Sequence, residues 1–76
     1  MKYIIKIGIS DNGRIKWCYY NGNTYKHSGE HLVDDFFTES DSAKRYLTRK
    51  AAESDADKLE AKCANVNVWL IEEVEE

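Results

Sequence analysis

Tyr3-Ile4-Ile5-Lys6-Ile7-Gly8-Ile9-Ser10-Asp11-Asn12-Gly13-Arg14-Ile15-Lys16-Trp17-Cys18-Tyr19-Tyr20, residues 3–20, carries the signals that decide the fold. Its first seven residues are rich in β-branched side chains and every odd position is apolar, which predicts a strand. Arg14 to Tyr20 predicts a second strand with Ile15, Trp17 and Tyr19 on one face. The residues between them allow two registers. A three-residue loop, Asp11-Asn12-Gly13, pairs Ser10 with Arg14 and sets Ile9 against Ile15, Ile7 against Trp17 and Ile5 against Tyr19. A two-residue loop, Asn12-Gly13, sets Ile7 against Cys18 and Ile9 against Lys16. A slip of one residue turns a strand's whole set of side chains to the other face. The first register gathers the apolar residues on one side and is preferred; it leaves Lys6, Lys16, Cys18 and Tyr20 on the outer face.

Outward from this hairpin, Asn21-Gly22-Asn23 is a second turn signal, followed by a short extended piece at Thr24-Tyr25-Lys26 that suggests a meander. His27 to Phe37 fits no clean period and reads as a structured loop with one helical turn. Thr38-Glu39-Ser40-Asp41 has the capping residues and first-turn acids of a helix start. Helical spacing then runs over 41–63, about 34 Å at 1.5 Å per residue. The strands span only about 25 Å, so a break or kink is expected near Ser54, where Ser54-Asp55-Ala56-Asp57 repeats the capping signal. Asn65 to Val74 closes the chain as a strand beside the first. The expected fold is α+β: one domain over 1–76, an antiparallel sheet of three to four strands in the order β-β-(β)-α-β, and one kinked or broken helix on one face. Ile5, Ile7, Ile9, Ile15, Trp17, Leu47, Leu59 and Val68 are its expected core.

Seventy-six residues hold one domain, and a chain this short builds a thin core. It carries 42 % hydrophobic and 33 % charged residues and no proline, the composition of a folded protein and not of a linker. Its opening apolar stretch, interrupted by Lys6, is too short to span a bilayer and lacks a cleavage site, so no membrane association and a cytoplasmic location are expected. In that setting Cys18 and Cys63 are expected as buried thiols and not as a bridge. The net charge of −3 is unevenly spread. Residues 1–26 hold five Lys/Arg against one acid, and residues 27–76 hold six against thirteen.

No motif for chemistry emerges, and no enzyme and no cofactor are expected. His27, Glu30, His31, Asp34 and Asp35 come nearest to a metal set, but Gly29 interrupts the helical spacing that two His ligands would need. Cys18 has no elbow to present its thiol, and no glycine leads into a helix to cradle phosphate. Two surfaces remain. Lys6, Lys16 and Tyr20 on the outer sheet face resemble a stacking platform for single-stranded nucleic acid, a partner that the acidic balance weighs against. Asp55, Asp57 and Glu60, with Glu72-Glu73 and Glu75-Glu76, could occupy a basic groove on a protein partner, although solvated acidic faces are common.

Taken whole, the chain resembles the small accessory proteins of bacterial phages and prophages, a group that includes anti-CRISPR and other host-defence inhibitors. The resemblance lies in the opening Lys2-Tyr3-Ile4-Ile5-Lys6-Ile7, the Asn-Gly hairpins, the Thr38-Glu39-Ser40 entry into an Ala/Lys-rich helix, and the ending Val68 to Glu76. It implies a stand-alone binding protein that blocks a larger bacterial or phage-encoded machine, and it carries over no functional residue. Apart from the resemblance, the thin core leaves self-association as a homodimer as the rival reading, and the Lys6, Lys16 and Tyr20 face leaves nucleic-acid binding as the third.

Overall fold

The computed structural model describes residues 1–34 and 38–75. Asp35, Phe36, Phe37 and Glu76, each part of an expectation above, lie outside the described residues. The fold is α+β. Strands β1 (Lys2–Asp11), β2 (Arg14–Tyr19) and β5 (Val68–Val74) form an antiparallel sheet in the order β2-β1-β5. Strands β3 (Thr24–His27) and β4 (Glu30–Val33) form a separate antiparallel ladder, and helix α1 spans Arg49–Lys62. The last strand thus lies beside the first, as expected.

The β1–β2 register is the one the sequence reading set aside. Ile7 faces Cys18, Gly8 faces Trp17 and Ile9 faces Lys16 across a two-residue Asn12-Gly13 loop. Both loop residues take positive φ, 51° and 81°, the type I′ geometry whose twist matches that of the flanking strands. Turn chemistry therefore overrides the matching of apolar residues. The inner face, toward α1, carries Ile5, Ile7, Ile9, Cys18 and Tyr20, all buried in one cluster with Ala52, Ala56, Leu59 and Cys63. Ile15, Trp17 and Val68, expected in the core, lie on the other face and are exposed, as is Leu47. Ile5, Ile7, Ile9 and Leu59 are buried as expected.

Helix α1 starts later than the sequence signals suggest and runs through Ser54 without a break. Its cap is Thr48, whose Oγ1 accepts from the Ala51 N–H at 3.1 Å, satisfying one of the four N–H groups a helix start leaves open. Fourteen residues give about 21 Å, which matches the sheet without a kink. Residues 40–42 form one 3-10 turn instead. After it the chain runs extended: Tyr46 and Tyr3 exchange both backbone hydrogen bonds, and Lys44 N donates to Tyr20 O. This segment prolongs the β2 side of β1, so it is not available for a helix.

The stretch read as a loop, 27–37, contains β4, with His27 paired to Glu30 across Ser28-Gly29. Thr24 to Lys26 is extended as expected, with His27 added to the strand, but it pairs with β4 and not with β2, so no three-strand meander forms among the described residues. The Asn65 side chain ties this ladder to the body. Its Oδ1 accepts from Val33 N at 3.0 Å and its Nδ2 donates to Val33 O at 3.1 Å, replacing a missing strand partner. Cys18 and Cys63 are buried and form no disulfide.

Candidate functional site

The register places the expected site residues on different surfaces. Lys6 lies opposite Tyr19 and Leu70, whereas Lys16 and Tyr20 belong to the inner side of β2. Tyr20 is buried, and its phenol is pushed up by burial, by the Asp55 carboxylate and by Cys63. The outer face expected from Lys6, Lys16, Cys18 and Tyr20 therefore does not exist, because the one-residue shift turns three of the four inward.

The acidic residues are divided as well. Asp55 is half-buried and engaged: it accepts a hydrogen bond from the Tyr46 hydroxyl, and Lys44 Nζ stands 3.9 Å away. Asp57 and Glu60 are exposed on α1, where Lys58 and Lys62 neighbour them in sequence. Glu72 lies on the outer sheet face, and Glu73, one residue on, lies on the opposite side of the strand. Both His27 and His31 lie in the β3–β4 hairpin, and no three His, Cys, Asp or Glu among the described residues are grouped as metal ligands.

The surface that the fold does assemble is the outer face of the three-stranded sheet. Helix α1 covers the inner face only. On the outer one, Ile15, Trp17, Val68 and Leu70 remain 48, 37, 38 and 49 % exposed. They come from β2 and β5 and flank Gly8 at the middle of β1. Gly8 lets them converge: a Cβ there would stand 2.5 Å from Val68 Cγ1, 2.9 Å from Ile15 Cγ2 and 3.1 Å from Trp17 Cζ3. Beside this apolar group is a polar one whose charge is internally matched. Lys6 Nζ stands 5.2 Å from the Trp17 ring centre and 3.8 Å from Glu72 Oε2. Tyr19 Oη donates to Glu72 Oε1 at 2.8 Å. Burial, then that hydrogen bond and the glutamate charge, push the Tyr19 phenol upward, so it remains a donor at neutral pH.

Sequence reasoning assigned Ile15, Trp17 and Val68 to the core and passed over Leu70. The available signal was Asn12-Gly13, the dipeptide most suited to a type I′ turn. Taken as decisive, it sets Trp17 across from Gly8 and turns Ile15 and Trp17 outward. No protein-family model matches the chain, and neither a curated protein nor a solved structure is significantly similar to it.

Proposed function

We propose that the chain is a small non-enzymatic protein-binding module that acts on a larger intracellular protein through the outer sheet face. The observation that carries this reading is the grouping of Ile15, Trp17, Val68 and Leu70, each more than a third exposed, on the part of the outer face around Gly8, away from the buried Ile4. Apolar surface gathered in this way, rather than scattered singly, marks interaction sites on soluble proteins. Tryptophan supplies large contact area at low entropic cost, and Trp17 lies near the centre of the group, where binding energy concentrates. The Lys6–Glu72–Tyr19 group beside it is already neutralised, so a partner can cover it without leaving a buried charge unpaired. The phage and prophage inhibitors that the sequence resembles supply the kind of target, a larger host-defence protein in a bacterial cell.

The test is capture from bacterial lysate by three immobilised forms of the chain. Trp17→Ala combined with Leu70→Lys should lose a protein that the parent retains, by roughly 30-fold or more if Trp17 is worth about 2 kcal/mol. Asp57→Lys combined with Glu60→Lys should retain it. Loss in the helix variant with retention in the sheet variant would move the binding surface to α1 and sink this reading. A second reading, self-association through the same face, is supported by the thin core of a 76-residue chain. It is separated by the mass of the pure protein over a concentration series.

A further inference from the structure

We infer that the edge of β5, unpaired among the described residues, takes up one extended segment of the partner as an additional antiparallel strand, and that this segment carries basic residues ahead of an alternating apolar run. The inference rests on the binding-module reading and specifies the chemistry of what is bound.

The hydrogen-bond pattern shows which groups are available. Tyr20 N donates to Ile5 O, and Tyr3 exchanges both backbone bonds with Tyr46. Odd-numbered residues of β1 thus turn their backbone groups toward β2, and even-numbered ones turn theirs toward β5. Residues that face each other across an antiparallel pair point their backbone groups the same way, both inward or both outward. Ile71 faces Ile5, Trp69 faces Ile7 and Glu73 faces Tyr3. The N–H and C=O groups of Trp69, Ile71 and Glu73 therefore point away from β1, on the side where the sheet ends. They are spaced two residues apart, as a pairing strand requires.

Exposed edges are commonly blunted by lysine, by proline or by bulges. The opposite edge, β2, follows that practice with Arg14 and Lys16. Strand β5, Val-Trp-Leu-Ile-Glu-Glu-Val, has no lysine, arginine or proline and keeps seven consecutive partners on β1. None of its residues is fully buried. An added strand would cover Leu70 and Val68 on the outer face and Trp69 and Ile71 on the inner one, which an apolar alternating segment fits. Both pairings within the sheet are antiparallel, and the added strand continues that arrangement. Glu73 and Glu75 are exposed at the C-terminal end of the strand, so an antiparallel segment meets them with its leading residues, and these should be basic.

The probe is a blocked peptide of about ten residues, a typical strand length, with paired lysines ahead of alternating valine and threonine. Amide hydrogen exchange of the full chain is followed by NMR with and without it. At saturation, the amides of Trp69, Ile71 and Glu73 should exchange more slowly, while those of Leu70 and Glu72, already bonded to β1, should change little. Glu73→Pro removes an outward N–H and should weaken the peptide by about tenfold, the scale of one lost hydrogen bond plus the displaced contact. Glu73→Gln should cost less, and only at low salt. Unchanged exchange at those three amides overturns the proposal, as does equal affinity of the Pro and Gln variants or of a peptide with glutamates in place of the lysines. Protection that instead grows with protein concentration and no peptide makes a second copy the occupant and also overturns it. In the capture assay, loss with Trp17→Ala but not with Glu73→Pro would leave the docking face standing and remove the edge.

Discussion

Gly8 is the residue on which the outer face depends. With no side chain of its own at the centre of β1, it gives Val68, Ile15 and Trp17 a common space to close over. Gly8→Ala forces branched side chains and an indole apart, and overpacking of this kind costs about 1–3 kcal/mol. Thermal unfolding should show the loss, and the methyl resonances of Ile15 and Val68 should shift together. The Tyr46–Asp55 pair makes a different prediction. Burial, then the hydrogen bond to Asp55 and its charge, hold the Tyr46 phenol far above its ordinary value near 10. The folded chain keeps a proton that the unfolded chain gives up at high pH. The corresponding stability is therefore fully present below about pH 10 and falls as pH rises further. Tyr46→Phe should flatten that alkaline decline in denaturant titrations, leaving the remaining slope of Tyr19, Tyr20 and Cys63, whose protons are held in the same direction. An unchanged slope would show that Asp55 does not hold the proton in place.

The β1–β2 hairpin shows how turn chemistry and apolar patterning can disagree. Both strands alternate well enough to suit either register, because β1 has apolar residues on both sides: Ile4 is as fully buried as Ile5 and Ile7, yet has the opposite parity. The Asn12-Gly13 turn then decides. Two substitutions separate the registers. Ile7→Ala should cost about 2–5 kcal/mol, as buried large-to-small changes do, whereas Ile15→Ala should stay within about 1 kcal/mol because its side chain is half exposed. Equal losses in chemical denaturation would refute the observed pairing. Strand β4 is held by β3, by a backbone hydrogen bond from Ala64 N to His31 O and by one side chain from elsewhere. Asn65→Ala leaves Val33 N and O without their partners, at a cost of about 1–3 kcal/mol. The Val33 amide should then exchange faster than those of β1. The local signal for this strand was the Ser28-Gly29 turn, whose two positive φ values pair His27 with Glu30; the Asn65 contact, more than thirty positions away, is the part that residues 27–37 do not record.

Taken together, the elements make two layers of which one is incomplete. Helix α1 presents a narrow apolar stripe, Ala52, Ala56 and Leu59 continued by Cys63, and the two alanines let it sit close against one sheet face. A stripe of that width covers one face only, and on the other, beyond the buried Ile4, Trp17 and its neighbours stay exposed. Replacing Ile15 and Leu70 by threonine should therefore leave the unfolding temperature nearly unchanged while abolishing any binding through that face. A large drop in stability would mean that the face is part of the core after all.

The strand character of residues 3–20 and 68–74, the turn at Asn12-Gly13 and the α+β class were legible in the chain alone. Each rests on periodicity or turn chemistry among near neighbours, which a linear pattern records. The β1–β2 register was written in Asn12-Gly13 and the β3–β4 pairing in the Ser28-Gly29 turn, whereas folding in space decided where α1 begins, that residues 43–46 serve the sheet and that Asn65 supports β4. These outcomes depend on competition between distant segments for the same backbone groups. Tyr3 takes Tyr46 and Val33 takes Asn65, and neither pairing leaves a trace in the local sequence. The location of the candidate site followed from the same competition, because the face that α1 does not cover is identified only once the covered one is known.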